Sequence, residues 1–346
     1  MQELIGISPG DFERGPKNSI TDIKGVKVGH LTIHKDLKDR SGKKICIRTG
    51  LTAIIPYDMK EEKRLFAACF LFRCKNEITG YEVIDDFCYL NSPVVISNSY
   101  NIGKVYNAVL SHGFSLGRTE IWPPVVLGVN DSHLNDMNKF SLDENQVLQT
   151  LRDCSSGPTE KGSVGIGLGL RAFGWKGGIG TSSRRLSLDN RQFSIGVLAA
   201  ANHGNTIKPE MEKSEQNINK SGHENGSLII VLATDIPLVP YQIRPIATSL
   251  VAALPSVNIL ENPKDSITCF LFSTANAMSL EDDGPLVFVY SLVNDSAVET
   301  IVKAGTEAIK EAILCSLLLS APIQGRLGRK VETIPDKEFK KIQKQF

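Results

Sequence analysis

The chain has 346 residues, enough for one large domain or two small ones, and its 39 Lys and Arg nearly balance 38 Asp and Glu. The two charge signs are mixed along the chain, with no basic stripe carrying interleaved aromatics, which excludes a nucleic-acid partner and reads as an ordinary solvated surface. Seven cysteines (Cys46, Cys69, Cys74, Cys88, Cys154, Cys269 and Cys315) show no C-x-x-C pairing, so neither a zinc site nor a disulfide frame is expected, and a reducing compartment is.

In chain order, short β-branched apolar segments bounded by Gly, Pro, Asn or Asp predict strands over 26–33, 45–56, 66–74, 93–97 and 125–129. A helix is predicted over 102–112, where Ile102, Val105, Val109 and Leu110 share a side. A strand over 193–200 then leads into residues 205–226, nearly all polar and without periodicity. That stretch has too little apolar area to offset its ordering entropy and is expected to be an exposed loop. Beyond it, strands are predicted over 228–234, 268–274 and 286–292, and helices over 242–254 and 297–319. The last helix is opened by Ser296 and Glu299 as a capping box. Strands dominate without regular strand–helix alternation, pointing to helix layers outside stacked sheets. No apolar run reaches the roughly 20 residues of a membrane helix. The first residues lack the basic and apolar regions of a leader, so a cytoplasmic protein without membrane partners is expected.

Three places could carry chemistry. At Asn225-Gly226-Ser227-Leu228 a hydroxyl heads an apolar strand directly after a glycine and a polar loop, a setting suited to an N-to-O acyl shift. Hydrolysis of the ester would make Ser227 a new N-terminus, whose amine could act as base for its own hydroxyl. An Asn-Gly-Ser turn before a strand is also ordinary, so this spacing alone leaves both readings open. The run Gly162-Ser-Val-Gly-Ile-Gly-Leu-Gly169, followed by Lys176–Arg184, lacks the helix that a dinucleotide fingerprint needs. Its glycines, Gly165 and Gly167 among them, either present amides to a substrate oxyanion or make a tight bend between strands. Third, Asn202 in Ala201-Asn-His-Gly204 could donate to an oxyanion or simply satisfy its own turn. His30, His133 and His203 are isolated, so no metal site is argued, and no cofactor.

Asn18-Ser-Ile-Thr-Asp-Ile-Lys-Gly-Val-Lys-Val-Gly-His30, Arg48-Thr-Gly-Leu-Thr-Ala-Ile-Ile-Pro56, Glu77-Ile-Thr-Gly80 and Leu134-Asn-Asp136 occur in that order. Gly162–Gly169, Gly177–Arg184, Ala201-Asn-His-Gly204, Ser227–Thr234, Phe272-Ser-Thr-Ala-Asn276 and Glu311-Ala-Ile-Leu314 follow. In these motifs, from about residue 16 to residue 335, the chain resembles the β-aminopeptidase and L-aminopeptidase/D-esterase family of N-terminal-nucleophile hydrolases. The resemblance implies an α/β (α+β) fold, a four-layer αββα sandwich. It would be a single domain over 1–346, made as a precursor and cut between Gly226 and Ser227 into chains 1–226 and 227–346. It further implies a homo-oligomeric aminopeptidase or amidohydrolase that releases N-terminal residues from small peptides, amides or esters without metal or cofactor. Ser227 matches the family nucleophile and Asn202 its oxyanion-hole Asn.

Departures accompany the match. Where the family has an acid for the substrate ammonium, this chain has Gly128, and Asn130 stands for a Tyr near the reacting carbonyl. The family's two assisting polar residues fall on Asp265 and Ile267, with Ser266 between them, so Asp265 and Ser266 are the candidates for assistance. These replacements predict weaker selection of a free amine, and they keep a second reading in view: a catalytically impaired or inactive scaffold member acting as a binding protein.

Overall fold

The computed structural model describes residues 10–118, 123–139, 141–203, 226–254, 266–280 and 286–345. The first sheet joins β1 (Lys27–Lys38), β2 (Lys44–Ile55), β5 (Val94–Asn98) and β6 (Val125–Val129) in the order β1-β2-β5-β6. β1 and β2 pair antiparallel over their full lengths, from Lys27 opposite Ile55 to Lys38 opposite Lys44. The second sheet has the order β4-β3-β12-β11-β10-β9, built from β3 (Lys63–Phe72), β4 (Tyr89–Leu90), β9 (Ile179–Leu188), β10 (Arg191–Asn202), β11 (Ser227–Thr234) and β12 (Ser266–Ser279).

Burial on both faces explains why the strands read as continuous apolar runs rather than alternating ones. In β11, Ser-Leu-Ile-Ile-Val-Leu-Ala-Thr, every residue is buried. Ile229, Val231 and Ala233 pack in the layer shared with the four-stranded sheet. Leu228, Ile230 and Leu232 pack among residues of α4 (Pro240–Ala252) and α5 (Val298–Leu318). At roughly 1.5–3 kcal/mol per buried aliphatic side chain, the gross gain is of the same order as the cost of fixing the backbone, so position in the sheet decides stability. On the other side, α2 (Ile102–Ser115) and α3 (Glu144–Arg152) contribute Val105, Val109, Val147 and Leu151 to the core of the four-stranded sheet. The layers run helix, sheet, sheet, helix, the expected αββα sandwich.

Several sequence expectations shift. Residues 286–292 form no strand. They are tied by Asn276 Nδ2 to the Ser291 carbonyl at 2.7 Å, with Tyr290 edge-on to Phe66 at 5.0 Å. Their apolar content cannot signal burial, because Leu286, Val287 and Val289 face outward. The capping box at Ser296 is replaced by Asn294, whose Oδ1 accepts the Ser296 amide at 2.9 Å. The helix α1 (Tyr81–Phe87), α3 and α6 (Asp336–Gln345) were not anticipated, nor was β9. β9 hides its polar residues by bonding them: Thr181 Oγ1 donates to the Val197 carbonyl at 2.6 Å and Ser183 Oγ to Asp22 at 2.6 Å. Glycine and hydroxyl residues there look like a bend in sequence and act as a buried strand in the fold. The polar loop expected before Gly226 lies outside the described residues, as does Asp265.

Candidate active site

Strand alternation decides which polar side chains meet. Ser227 precedes Ile229 by two residues, so it shares that residue's face, toward the layer between the sheets. Asn202 continues the Leu198 and Ala200 side of β10, and Ser266 shares the Phe270 and Phe272 side of β12. Register then aligns all three: Ser227 pairs with Asn202 on one side and with Ser266 on the other. The row is buried, at the edge of the inter-sheet layer.

Hydrogen bonding in the row is uneven. The Gly226 carbonyl accepts both the Ser266 amide and the Ser266 hydroxyl, each at 3.1 Å. Among the described residues, buried Ser227 Oγ has no hydrogen-bond partner. Buried hydroxyls are nearly always satisfied, so an orphan beside a doubly polarised peptide carbonyl calls for a chemical explanation. Asn202 is fixed from two sides: its Nδ2 donates to the Asn130 carbonyl at 2.7 Å and its Oδ1 accepts the Arg171 amide at 3.3 Å. A carboxamide nitrogen carries two hydrogens, and one remains for a further acceptor.

The Asn130 carbonyl belongs to the turn after β6, and Asp131 anchors that turn. Its buried carboxylate accepts Thr49 Oγ1 at 2.5 Å, Asn135 Nδ2 at 3.0 Å and Asn98 Nδ2. Burial pushes this carboxyl up to about 6, against the pull of its three neutral donors. With its acceptor sites filled and no surface exposed, Asp131 is no receptor for a substrate ammonium. Beneath the glycine run, fully buried Lys176 donates to the carbonyls of Gly167 at 2.7 Å, Leu170 at 2.9 Å and Gly177 at 2.5 Å; burial lowers its ammonium to about 7. The sequence offers Asp131 only as an acid near Gly128 that a substrate ammonium could recruit, and Lys176 only as the start of the second glycine run. The signal available for each was a charged residue set among glycines or just after an apolar strand.

Two sequence expectations are corrected. The Gly165 amide donates to Thr32 Oγ1 at 2.7 Å and the Gly167 amide to the Val164 carbonyl at 2.8 Å, so neither is available to a substrate oxyanion. These residues are glycine because backbone packs on backbone: a Cβ at Gly167 would lie 2.6 Å from the Gly162 oxygen. Gly128 is equally closed, since a Cβ there would lie 2.7 Å from the Glu77 oxygen and 2.9 Å from Ile102 and from Ser99. Position 128 is therefore packed rather than an open pocket wall. Asn130 meets the site through its carbonyl, while its side chain turns back to accept the Ser132 amide at 3.0 Å.

His203 follows Asn202 on the opposite face of β10, edge-on to Phe173 at 4.3 Å, and burial holds its imidazole down to about 4. It stays neutral and away from Ser227. Among the described residues no three His, Cys, Asp or Glu side chains gather into a metal-binding group, and no helix is long and apolar enough to cross a membrane.

Comparisons with known proteins bear on the family and the fold. The model of peptidase family S58 matches residues 18–331. The chain is 29% identical to the β-peptidyl aminopeptidase BapA of Sphingosinicella microcystinivorans, over 96% of this chain and 89% of that protein. Its fold superposes on a β-aminopeptidase from Burkholderia sp. with a TM-score of 0.86 at 27% identity, covering 98% of this chain and 97% of the other. The L-aminopeptidase D-Ala-esterase/amidase of Ochrobactrum anthropi, described as a variant of the Ntn-hydrolase fold, gives a TM-score of 0.84 at 29% identity, over 98% and 97% of the two chains. The chain belongs to peptidase family S58 and is a hydrolase of the aminopeptidase type.

Proposed function

We propose that this protein is a serine N-terminal-nucleophile aminopeptidase that cuts itself between Gly226 and Ser227 and then releases N-terminal residues from small peptides, amides or esters. The observation that carries this reading is the buried, unpartnered Ser227 Oγ beside a Gly226 carbonyl already bonded twice by Ser266. In self-cleavage Ser227 Oγ bonds to the Gly226 carbonyl carbon while the Ser266 amide and hydroxyl hold the developing oxyanion. The Gly226–Ser227 C–N bond breaks, the hydroxyl proton passes to the departing nitrogen, and water splits the resulting ester. The freed α-amine, with an ordinary pKa of about 7.7–8.0, then serves as base for Ser227 Oγ. A substrate carbonyl attacked by Oγ develops its oxyanion beside Asn202, whose remaining amide hydrogen supplies the donor. The tetrahedral adduct collapses, its bond to the leaving amine or alcohol breaks, that group takes the proton held by the α-amine, and water then hydrolyses the acyl-enzyme.

Chains 1–226 and 227–346 remain one folded unit in this reading, which is supported by β11 being hydrogen-bonded between β10 and β12. Homo-oligomerisation is supported by the outward-facing apolar residues Leu286, Val287 and Val289, which a partner copy would cover. The free state of all seven cysteines suits a cytoplasmic setting. Because Gly128 is packed and Asp131 is fully engaged, N-blocked or neutral esters and amides are expected to lose less rate than free-amine substrates. Intact mass of the purified protein tests the core of the proposal. Wild type should give two pieces and Ser227→Ala one, with no hydrolysis by the variant. A wild-type chain that stays whole after long incubation refutes self-cleavage.

A further inference from the structure

We infer that Asp131 is a positioning residue for catalysis, holding the Asn130–Asp131 peptide so that its carbonyl aims the Asn202 carboxamide at the oxyanion of the substrate. The inference rests on the reading of Ser227 as nucleophile and gives Asp131 a role other than holding a substrate ammonium.

Three observations converge on it. The Asn130 carbonyl, 2.7 Å from Asn202 Nδ2, is a direct hydrogen bond joining the turn after β6 to the row that contains Ser227. That carbonyl belongs to the peptide that leads into Asp131, whose side chain is pinned from three elements: Thr49 on β2, Asn98 at the end of β5 and Asn135 across the turn. The turn is closed again at the main chain, where the amides of Leu134 and Asn135 donate to the Asp131 carbonyl at 3.2 and 3.1 Å, and Asn135 Oδ1 accepts the Arg48 amide at 3.1 Å. Any rotation of the Asn130 carbonyl must therefore break bonds at Asp131.

The pin is also chemically unusual. A carboxylate with no exposed surface is held by neutral donors alone, although a neutral side chain would fill the same space without the desolvation penalty of a buried charge. The charged groups packed nearby are engaged elsewhere. Arg48 on β2 sends its guanidinium to Asp36 at 2.7 Å and to the Lys35 and Gln324 carbonyls. Asp136, in the same turn, accepts Arg326 at 3.1 Å and the Cys46 amide at 2.8 Å. From the glycine turn Gly169 approaches, and the Lys176 ammonium beneath that turn is spent on the Gly167, Leu170 and Gly177 carbonyls. Protonation of Asp131 would put a donor among three donors, and only the Thr49 hydroxyl can reverse to accept it. The network then loosens, and with it the aim of Asn202.

The test compares wild type, Asp131→Asn, Asn202→Ala and the double variant on one anilide or ester substrate across pH 5–8. Self-cleavage of Asp131→Asn into two pieces reports that it folds and that Ser227 is live. We expect a 10- to 100-fold lower kcat with KM within about twofold, because a misaimed donor loses part of what removing it loses. Below about pH 6 the wild-type log kcat should fall more steeply than that of Asp131→Asn, which keeps only the limb set by the Ser227 α-amine, and the double variant should be no slower than Asn202→Ala alone. Wild-type kcat in Asp131→Asn, or effects that multiply in the double variant, overturns the inference while leaving the nucleophile assignment intact. A separate readout needs no turnover. In 15N-labelled Ser227→Ala protein, the Asn202 side-chain amide signal should shift with the Asp131 titration and stop shifting in the added Asp131→Asn variant. An Asn202 signal that ignores that titration also overturns it. Loss of self-cleavage in wild type, by contrast, strikes at the Ser227 reading.

Discussion

The glycine run at 162–169 and the junction at 226–227 offer the same sequence signal, small residues beside a possible oxyanion, yet the fold uses them in opposite ways. In the run the amides of Gly165 and Gly167 have partners within the protein, and added Cβ atoms would collide with backbone. At the junction a hydroxyl is buried and left with no partner while the carbonyl before it is bonded twice. Glycine crowding marks where backbones must approach. What singles out the junction is the conjunction of a free hydroxyl with a doubly bonded peptide carbonyl directly before it.

That contrast can be broken experimentally. The largest effect is expected at Asn202, where Asn202→Ala should lower kcat per folded molecule by about 10²–10³, with a stability loss of about 1–3 kcal/mol from the hydrogen bonds it gives up, measured by steady-state kinetics beside a melting curve. An unaffected kcat would move oxyanion stabilisation away from the row.

Asp131 packs against the end of the glycine run, since a Cβ at Gly169 would come within 3.1 Å of its Oδ2. Its folded pKa of about 6 exceeds the ordinary 3.8, so native protein binds more protons than unfolded chain between those values, and stability falls as pH rises through that window. Relative to its parent, Asp131→Asn should therefore gain stability from pH 4 to pH 7, by up to about 3 kcal/mol at 1.36 kcal/mol per pKa unit. Urea midpoints in a Ser227→Ala background would show this, and a difference independent of pH would contradict the buried-charge account.

Gly167→Ala tests the other region. With its Cβ 2.6 Å from one backbone atom and 2.7 Å from another, it should reduce stability by about 2 kcal/mol while kcat per folded molecule stays within twofold. Catalytic loss without stability loss would return the run to the active site. The smallest effect is expected from Ser266→Ala, which keeps the Ser266 amide on the Gly226 carbonyl and removes only the hydroxyl. Self-cleavage, followed on denaturing gels, should slow about tenfold, the worth of roughly one hydrogen bond to a developing charge.

Much of the architecture was legible before any coordinates. β-Branched runs such as Val-Val-Leu-Gly-Val at 125–129 are strands because their side chains suit a pleated surface buried on both faces, and helical periodicity located α2, α4 and α5 within a few residues. Failures fall where composition and burial part company. Residues 286–292 are apolar yet exposed, and β9 is rich in glycine and hydroxyls yet buried.

By itself the sequence determined the layered α/β class, the family through its ordered motifs, and Ser227 and Asn202 as the residues to watch. These are local or pattern properties, set by side-chain chemistry and its period along the chain. Only the tertiary structure decided that Asn202, Ser227 and Ser266 share one face and one register, that Gly165, Gly167 and Gly128 are closed by backbone, and that Asp131 is sealed among neutral donors. Those facts depend on pairing between strands far apart in sequence and on which buried groups find partners, and neither is encoded in any short stretch of chain.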